Sequence, residues 1–217
     1  MINGFCFCYS FAIPFYLFLR SYFMRVVNLF CLLFFSLSVH AQAYRGSVKL
    51  LIDTAGKRVL HLPIVYTSVS QLSNPSFTPK PKPHELDSGK RAASEKRKVQ
   101  VHALLLAYSR EADGDYHLIL MDPIDSSTMI AELPNPLQPA IKNNPELIEL
   151  YTQARKFIDS SFGAPTTQTK FFPNKPKLIV TGILFFDKTG HGLGHAENSV
   201  EIHPVLDVKI EGIGSRG

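Results

Sequence analysis

Lys177-Leu-Ile-Val-Thr-Gly-Ile-Leu-Phe-Phe186, Asp187-Lys-Thr-Gly-His-Gly-Leu-Gly-His-Ala-Glu-Asn198 and Ser199-Val-Glu-Ile-His-Pro-Val-Leu-Asp-Val-Lys-Ile210 follow one another without a break. The outer runs are apolar and rich in β-branched and aromatic residues, and the middle one is a glycine/histidine segment. This predicts strand, loop, strand. Gly182 inside the first run marks an expected bulge or bend. Along the last run, alternation places Val200, Ile202, Pro204, Leu206, Val208 and Ile210 on one face. Glu201, His203, Val205, Asp207 and Lys209 take the other, so His203 is expected outside the core.

Upstream lies one amphipathic helix. Asn144 suits the N-cap, Pro145 the first helical position, and Glu146 and Glu149 the positive end of the dipole. Leu147, Leu150, Tyr151, Ala154, Phe157 and Ile158 form one apolar face, and Gly163 with Pro165 ends the region. Before it come Val99–Tyr108, a long strand; the Asp113-Gly114 turn; the strand Tyr116–Met121; a turn over Asp122–Ser127; and the strand Thr128–Leu133. Pro134, Pro136 and Pro139 then stop any ladder. Strand, strand, strand, helix, strand, strand is the order of the OB-fold, a partly open five-stranded Greek-key barrel. The expected class is mainly β with one helix, a β-β-β-α-β-β barrel over 98–211 with a flexible tail at 212–217. A ubiquitin-like or split βαβ arrangement is the rival.

Residues 46–66 read as a β-hairpin around Asp53-Thr-Ala-Gly56, so 44–72 is expected to precede the barrel as a hairpin. Pro79-Lys-Pro-Lys-Pro83 and the basic run from Lys90 to Lys98 make 73–97 an expected stiff, solvated linker. The first 43 residues read as a signal peptide: Met24-Arg25, an apolar run from Val26 to Val39, then Ala41-Gln42-Ala43. Met24 is the expected true start, cleavage is expected before Tyr44, and the product is exported, periplasmic or extracellular. No transmembrane segment is expected afterwards.

Cys6, Cys8 and Cys31 all lie in the leader. The remaining 174 residues therefore hold no disulfide, thiol nucleophile or thiolate metal site. Arg20 and Arg25 are the only formally charged side chains before Tyr44, so the +5 of the whole chain becomes +3 after it. That is too mild to argue for a polyanionic partner. G-x-S-x-G is absent, which removes a recognisable serine nucleophile.

In an OB-fold, ligands meet the second and third strands between the 1–2 and 4–5 loops. Here those loops are Arg110–Asp115 and Asp187–Asn198, the two most polar turns of the domain. The expected ligand-binding residues are Asp113, Asp115, His117, Asp187, His191, Asn198, Glu201 and His203. His117, His191 and His203 are weak candidates for a divalent metal with a nearby carboxylate. Their plain alternative is one surface, one turn-capping and one loop histidine. His191-Gly-Leu-Gly-His195 lacks both the helix and the Glu of a zinc-protease motif. Asp113-Gly-Asp115 reads more simply as a turn than as a calcium loop.

The motifs Glu111-x-Asp-Gly-Asp-Tyr-His117, Met129-Ile-Ala-Glu-x-Pro134 and His191-Gly192…Asn198…Glu201-Ile-His-Pro-Val205 resemble those of a family of small secreted bacterial OB-fold-like proteins. The likeness covers roughly 87–210, and departs from the family pattern where His195 precedes Ala196. It implies a common fold and export, and no activity. The reading that results is an exported binding module for a peptide, glycan or small polar molecule, leaning away from an enzyme. A metal- or His/carboxylate-dependent hydrolase is the first alternative. Nucleic-acid binding through Lys90–Lys98 is the second, weakened by the acid residues of the 1–2 loop.

Overall fold

The structure is a computed structural model, and it describes residues 45–87, 89–187 and 192–212. The elements are α1 (Gly46–Lys49), α2 (Gly56–Leu60), β1 (Ile64–Thr67), α3 (Val69–Ser73), α4 (Pro83–Asp87), β2 (Lys98–Arg110), β3 (Tyr116–Met121), β4 (Thr128–Leu133), α5 (Pro145–Phe162), β5 (Lys170–Phe171), β6 (Lys177–Phe186) and β7 (Val200–Ile210). Neighbouring strands run β2-β3-β4-β7-β6, and β6 pairs back onto β2. That closes a five-stranded OB-like barrel. The meander β2-β3-β4 is antiparallel, β4 pairs parallel with β7, and α5, between β4 and β6, is the one substantial helix among the described residues.

Long β2 joins two neighbourhoods. Its first half pairs with β6 and parallel with β1, its second with β3 and β5. The register shifts between Leu105 and Ala107. Before the shift Val99, Val101, Ala103 and Leu105 point into the barrel, and after it Tyr108 does, while Ala107 joins Ile119 and Ile130 outside. The bulge thus re-aims the strand where the barrel turns its corner. The bend expected at Gly182 is present: register shifts flank it, and a Cβ there would lie 2.4 Å from Ile202 Cγ2 and 2.5 Å from Pro204 O. Only glycine lets β7 cross so closely.

α5 begins and ends where its caps predict. Asn144 Oδ1 accepts from Leu147 N at 3.2 Å, and Gly163 takes a positive φ of 86°. Leu147, Tyr151, Ala154 and Ile158 are its buried face.

Two expectations are corrected. Residues 46–66 form no hairpin: α1 and α2 are helical turns, and only Ile64–Thr67 extends. Short apolar runs do not distinguish strand from helix by period. Here the apolar residues Leu50, Leu51, Val59 and Leu60 pack with Tyr151, Ile183 and Leu206 on the outside of the barrel. Nor is 73–97 a solvated linker. Leu86, Arg91, Ala92 and Glu95 are buried. Both oxygens of Glu95 bind the Arg45 guanidinium, and they also accept from Ala92 N and Phe186 N. Arg91 bonds Val48 O and Asp53, and Lys98 donates to Leu60 O, so much of the basic run is spent on internal contacts. Residues from Arg45 onward make one compact unit, with no domain boundary in the Pro/Lys stretch. Among the described residues no helix is long and apolar enough to cross a membrane.

Candidate metal centre

Hairpin register sets the first pair of the site. Tyr116 pairs with Leu133, so His117 on β3 stands opposite Glu132 on β4. The parallel pairing Ala131–Ile202 carries the same row to His203 on β7. Three adjacent strands therefore present His117, Glu132 and His203 side by side on the outer face, while Leu118, Ala131 and Ile202 fill the barrel.

The row is tightly coupled. Glu132 Oε2 lies 2.7 Å from His203 Nδ1, and Oε1 lies 3.2 Å from His117 Nδ1. Asp115, at the end of the β2–β3 turn, adds a third side: its Oδ2 is 3.8 Å from His203 Nε2. Asp115 Oδ1 is occupied by Asn135 N at 2.7 Å and Gln138 Nε2 at 2.8 Å. Ligand atoms of Asp115, Glu132 and His203 all fall within 4.8 Å of one another, a separation that one divalent cation can span.

His203 is fully buried, at 0% exposure, and among the described residues neither ring nitrogen makes a well-aligned hydrogen bond. The short contact to Glu132 is ionic in distance and poor in angle. Strand alternation correctly puts His203 outside the barrel interior, but the outer face is not solvent there. Phe185 packs on the imidazole at 5.8 Å between centroids, and Lys49 from α1 reaches Glu132 at 3.8 Å. The alternation also breaks after Pro204, with Val205 in the barrel core and Leu206 in the outer cluster, opposite to the expected faces.

Electrostatics sort the carboxyls. Burial opposes ionisation of Glu132, but His203, His117 and Lys49 together outweigh it and hold the group well below the usual carboxylate range. Burial, then the charge of Glu132, pushes Glu201 well above that range. Asp115 is raised, chiefly by burial and against the pull of His203. Two carboxyls on adjacent strands are thus shifted in opposite directions, Glu132 down and Glu201 up.

The two polar loops do converge. Glu111 Oε1 is 3.5 Å from His117 Nδ1 on one side. On the other, the His195 ring is 6.3 Å from the His117 ring, and its Nδ1 is 3.9 Å from Glu201 Oε1. The 4–5 loop is seated by Gly194, whose Cβ position would lie 2.5 Å from Ile119 Cγ2. Of the residues expected to bind a ligand, Asp115, His117, Glu201 and His203 gather here. Asp113 is exposed and accepts from Asp115 N in its own turn, and Asp187 sits at the loop base, its N–H donating to Ser199 O. Asn198 is buried, its amide donating to Leu72 O and Thr78 O and its oxygen accepting from Val200 N, so it ties the 72–78 segment to the barrel. His191 lies outside the described residues.

Glu132 and Lys49 were not among the expected site residues. Glu132 was legible: once the Asp122–Ser127 turn fixes the hairpin, it falls opposite His117. Lys49 carried no signal, because its place depends on how α1 docks.

No family model matches the chain, and no curated protein matches it. Among solved structures, a chain of "a putative aspartyl-tRNA synthetase from Leishmania major Friedlin" aligns with a TM-score of 0.36 at 12% identity, over 69% of this chain and 22% of that one. At that level the likeness carries no functional argument, and the site rests on its own geometry.

Proposed function

We propose that this chain is an exported, metal-supported hydrolase built on the outer face of an OB-like barrel, with Asp115, Glu132 and His203 holding a divalent cation. The observation that carries the reading is the buried imidazole of His203. Its Nε2 has no aligned partner, and it faces the remaining oxygen of Asp115 across 3.8 Å. A buried polar atom left without a partner costs on the order of 1–3 kcal/mol and calls for something to satisfy it. A divalent ion held between those two atoms would satisfy both.

In this arrangement Glu132 plays a double part. Its Oε2, 2.7 Å from Nδ1, orients the ring, while the same carboxylate is one of the three groups that would hold the ion. A bound divalent ion would supply a polarised water at neutral pH. His117 and Glu201 flank the cluster and supply further groups for proton transfer, while Phe185 and the α1 segment limit water access. The donor set of one imidazole and two carboxylates suits zinc or manganese better than calcium, which prefers an all-oxygen shell.

The test is metal retention. Purified protein dialysed against zinc and manganese is expected to keep one equivalent, and His203→Ala and Asp115→Asn to lose it. Wild-type protein that retains no ion at micromolar free metal would sink the proposal. A second reading, non-catalytic binding of a small polar ligand on the same face, is favoured by the polar cleft beside His195. It differs in requiring no turnover of any ester or amide.

A further inference from the structure

At the turn end of the β3–β4 hairpin, four positions along β4 from Glu132, α3 and the turn line a cleft of about 300 Å³. That is the lower end of the range for small-molecule sites. One wall carries Ser70, Ser73 and Asn74, the other Asp125, Ser127 and Thr128, and the 4–5 loop closes it with His195 and Glu197. His195 links the cleft to the cluster, since the same ring stands against Glu201 and His117.

The walls are fixed in advance. Asp122 Oδ2 accepts from Ser70 N at 3.0 Å, and Asp125 Oδ2 accepts from Ser70 Oγ at 2.5 Å, tying α3 to the turn. Those bonds, with Ser127 N–H on the other oxygen, keep Asp125 below the ordinary carboxylate range and so ionised. A rigid wall lowers the ordering cost of binding.

The lining selects by charge. Among the described residues it holds two carboxylates and neither Lys nor Arg. The neighbouring cluster adds the fields of Glu111, Asp113 and Asp187, against Lys49. Beyond residue 43 the chain is net positive, so negative charge is concentrated on this face of a basic protein. Such a field attracts cations and repels phosphate or sulfate. Among the described residues the lining has no Phe, Tyr or Trp, the broad rings on which a sugar's C–H face commonly stacks; its ring is the His195 imidazole. Hydroxyls and an amide offer the donors and acceptors that a peptide backbone requires.

We propose that this cleft binds the free ammonium end of a short peptide between Asp125 and Glu197, presenting the following amide toward His195 and the cluster. This deepens the hydrolase reading by naming its substrate class, and rests on that reading only for what happens to the amide.

The experiment is equilibrium titration of the purified protein with alanyl-alaninamide, its N-acetylated form and glucosamine. The free amine is expected to bind about tenfold or more tighter than the acetylated peptide, the worth of one charge-assisted hydrogen bond. That preference should vanish in Asp125→Asn/Glu197→Gln; Glu197→Gln alone, on an exposed loop, should reduce it without touching the fold. Equal binding of the two peptides, no binding of either, or a preference that survives the double substitution overturns the proposal. Glucosamine binding as tightly as the dipeptide overturns the peptide assignment. Repeating the titration in His203→Ala separates the two readings: selectivity that persists without metal upholds the cleft even where the metal centre fails.

Discussion

His203 and Glu132 stand side by side on parallel strands, Nδ1 of one 2.7 Å from Oε2 of the other, in register with the Ala131–Ile202 pair. The same carboxylate holds His117 with its second oxygen. Removing its charge therefore releases two imidazoles at once. Glu132→Gln is expected to weaken zinc or manganese binding by about 10–100-fold, the usual cost of losing an orienting carboxylate. Isothermal titration on wild type and variant reads it; unchanged affinity would mean that Glu132 serves packing alone.

Gly194 combines a φ of +87° with a Cβ position 2.5 Å from Ile119 Cγ2. Gly194→Ala is expected to lift the 4–5 loop off the β3–β4 face and to cost about 1–3 kcal/mol. Urea midpoints give the cost. Hydrogen exchange should show faster exchange at His195 and Ala196, and little change in β2.

Arg45 and Glu95 form an ion pair with no solvent exposure of either side chain. Breaking one half leaves an uncompensated buried charge, so Arg45→Met is expected to cost about 3–5 kcal/mol. The double variant Arg45→Met/Glu95→Met should regain a large part of that loss. Thermal unfolding of the three variants forms the cycle. A double variant no more stable than Arg45→Met would show that the other bonds of Glu95, to Ala92 N and Phe186 N, dominate.

Tyr151 is buried on α5 and donates its hydroxyl to Leu50 O at 3.0 Å. Burial, with the charge of Asp115, raises its pKa above the ordinary tyrosine value. The folded pKa exceeds the unfolded one, so this contribution to stability is complete below about pH 10 and is lost as pH climbs beyond it. Tyr151→Phe should be less stable than wild type by about 1 kcal/mol at pH 8. The gap should narrow at pH 11. A gap independent of pH would show that the phenol ionises equally in both states.

The barrel was legible because its signals are local. Asn144-Pro145 starts α5, Gly163 ends it, Asp113-Gly114 turns β2 into β3, and Gly182 marks the crossing of β6 and β7. The convergence of the 1–2 and 4–5 loops follows from that order. The covering segment was not legible. Whether Leu50 and Leu51 extend or coil depends on the surface offered by Ile183, Leu206 and Tyr151, a hundred or more positions away. For the same reason the burial of His203 could not be read, since α1, whose Lys49 reaches Glu132 and the Phe185 ring beside it, arrives from the opposite end of the chain.

The pairing of β7 has a consequence for synthesis. β7 touches both β4 and β6, so until it is laid in place each of those strands keeps a bare ladder edge, which is a template for sticking to other chains. His203, the imidazole of the candidate metal centre, travels on this same late-made strand. A chain cut short ahead of Val200 would thus lack one donor of the proposed centre and be prone to clump, and solubility would report on the assembly of that centre before any assay of chemistry.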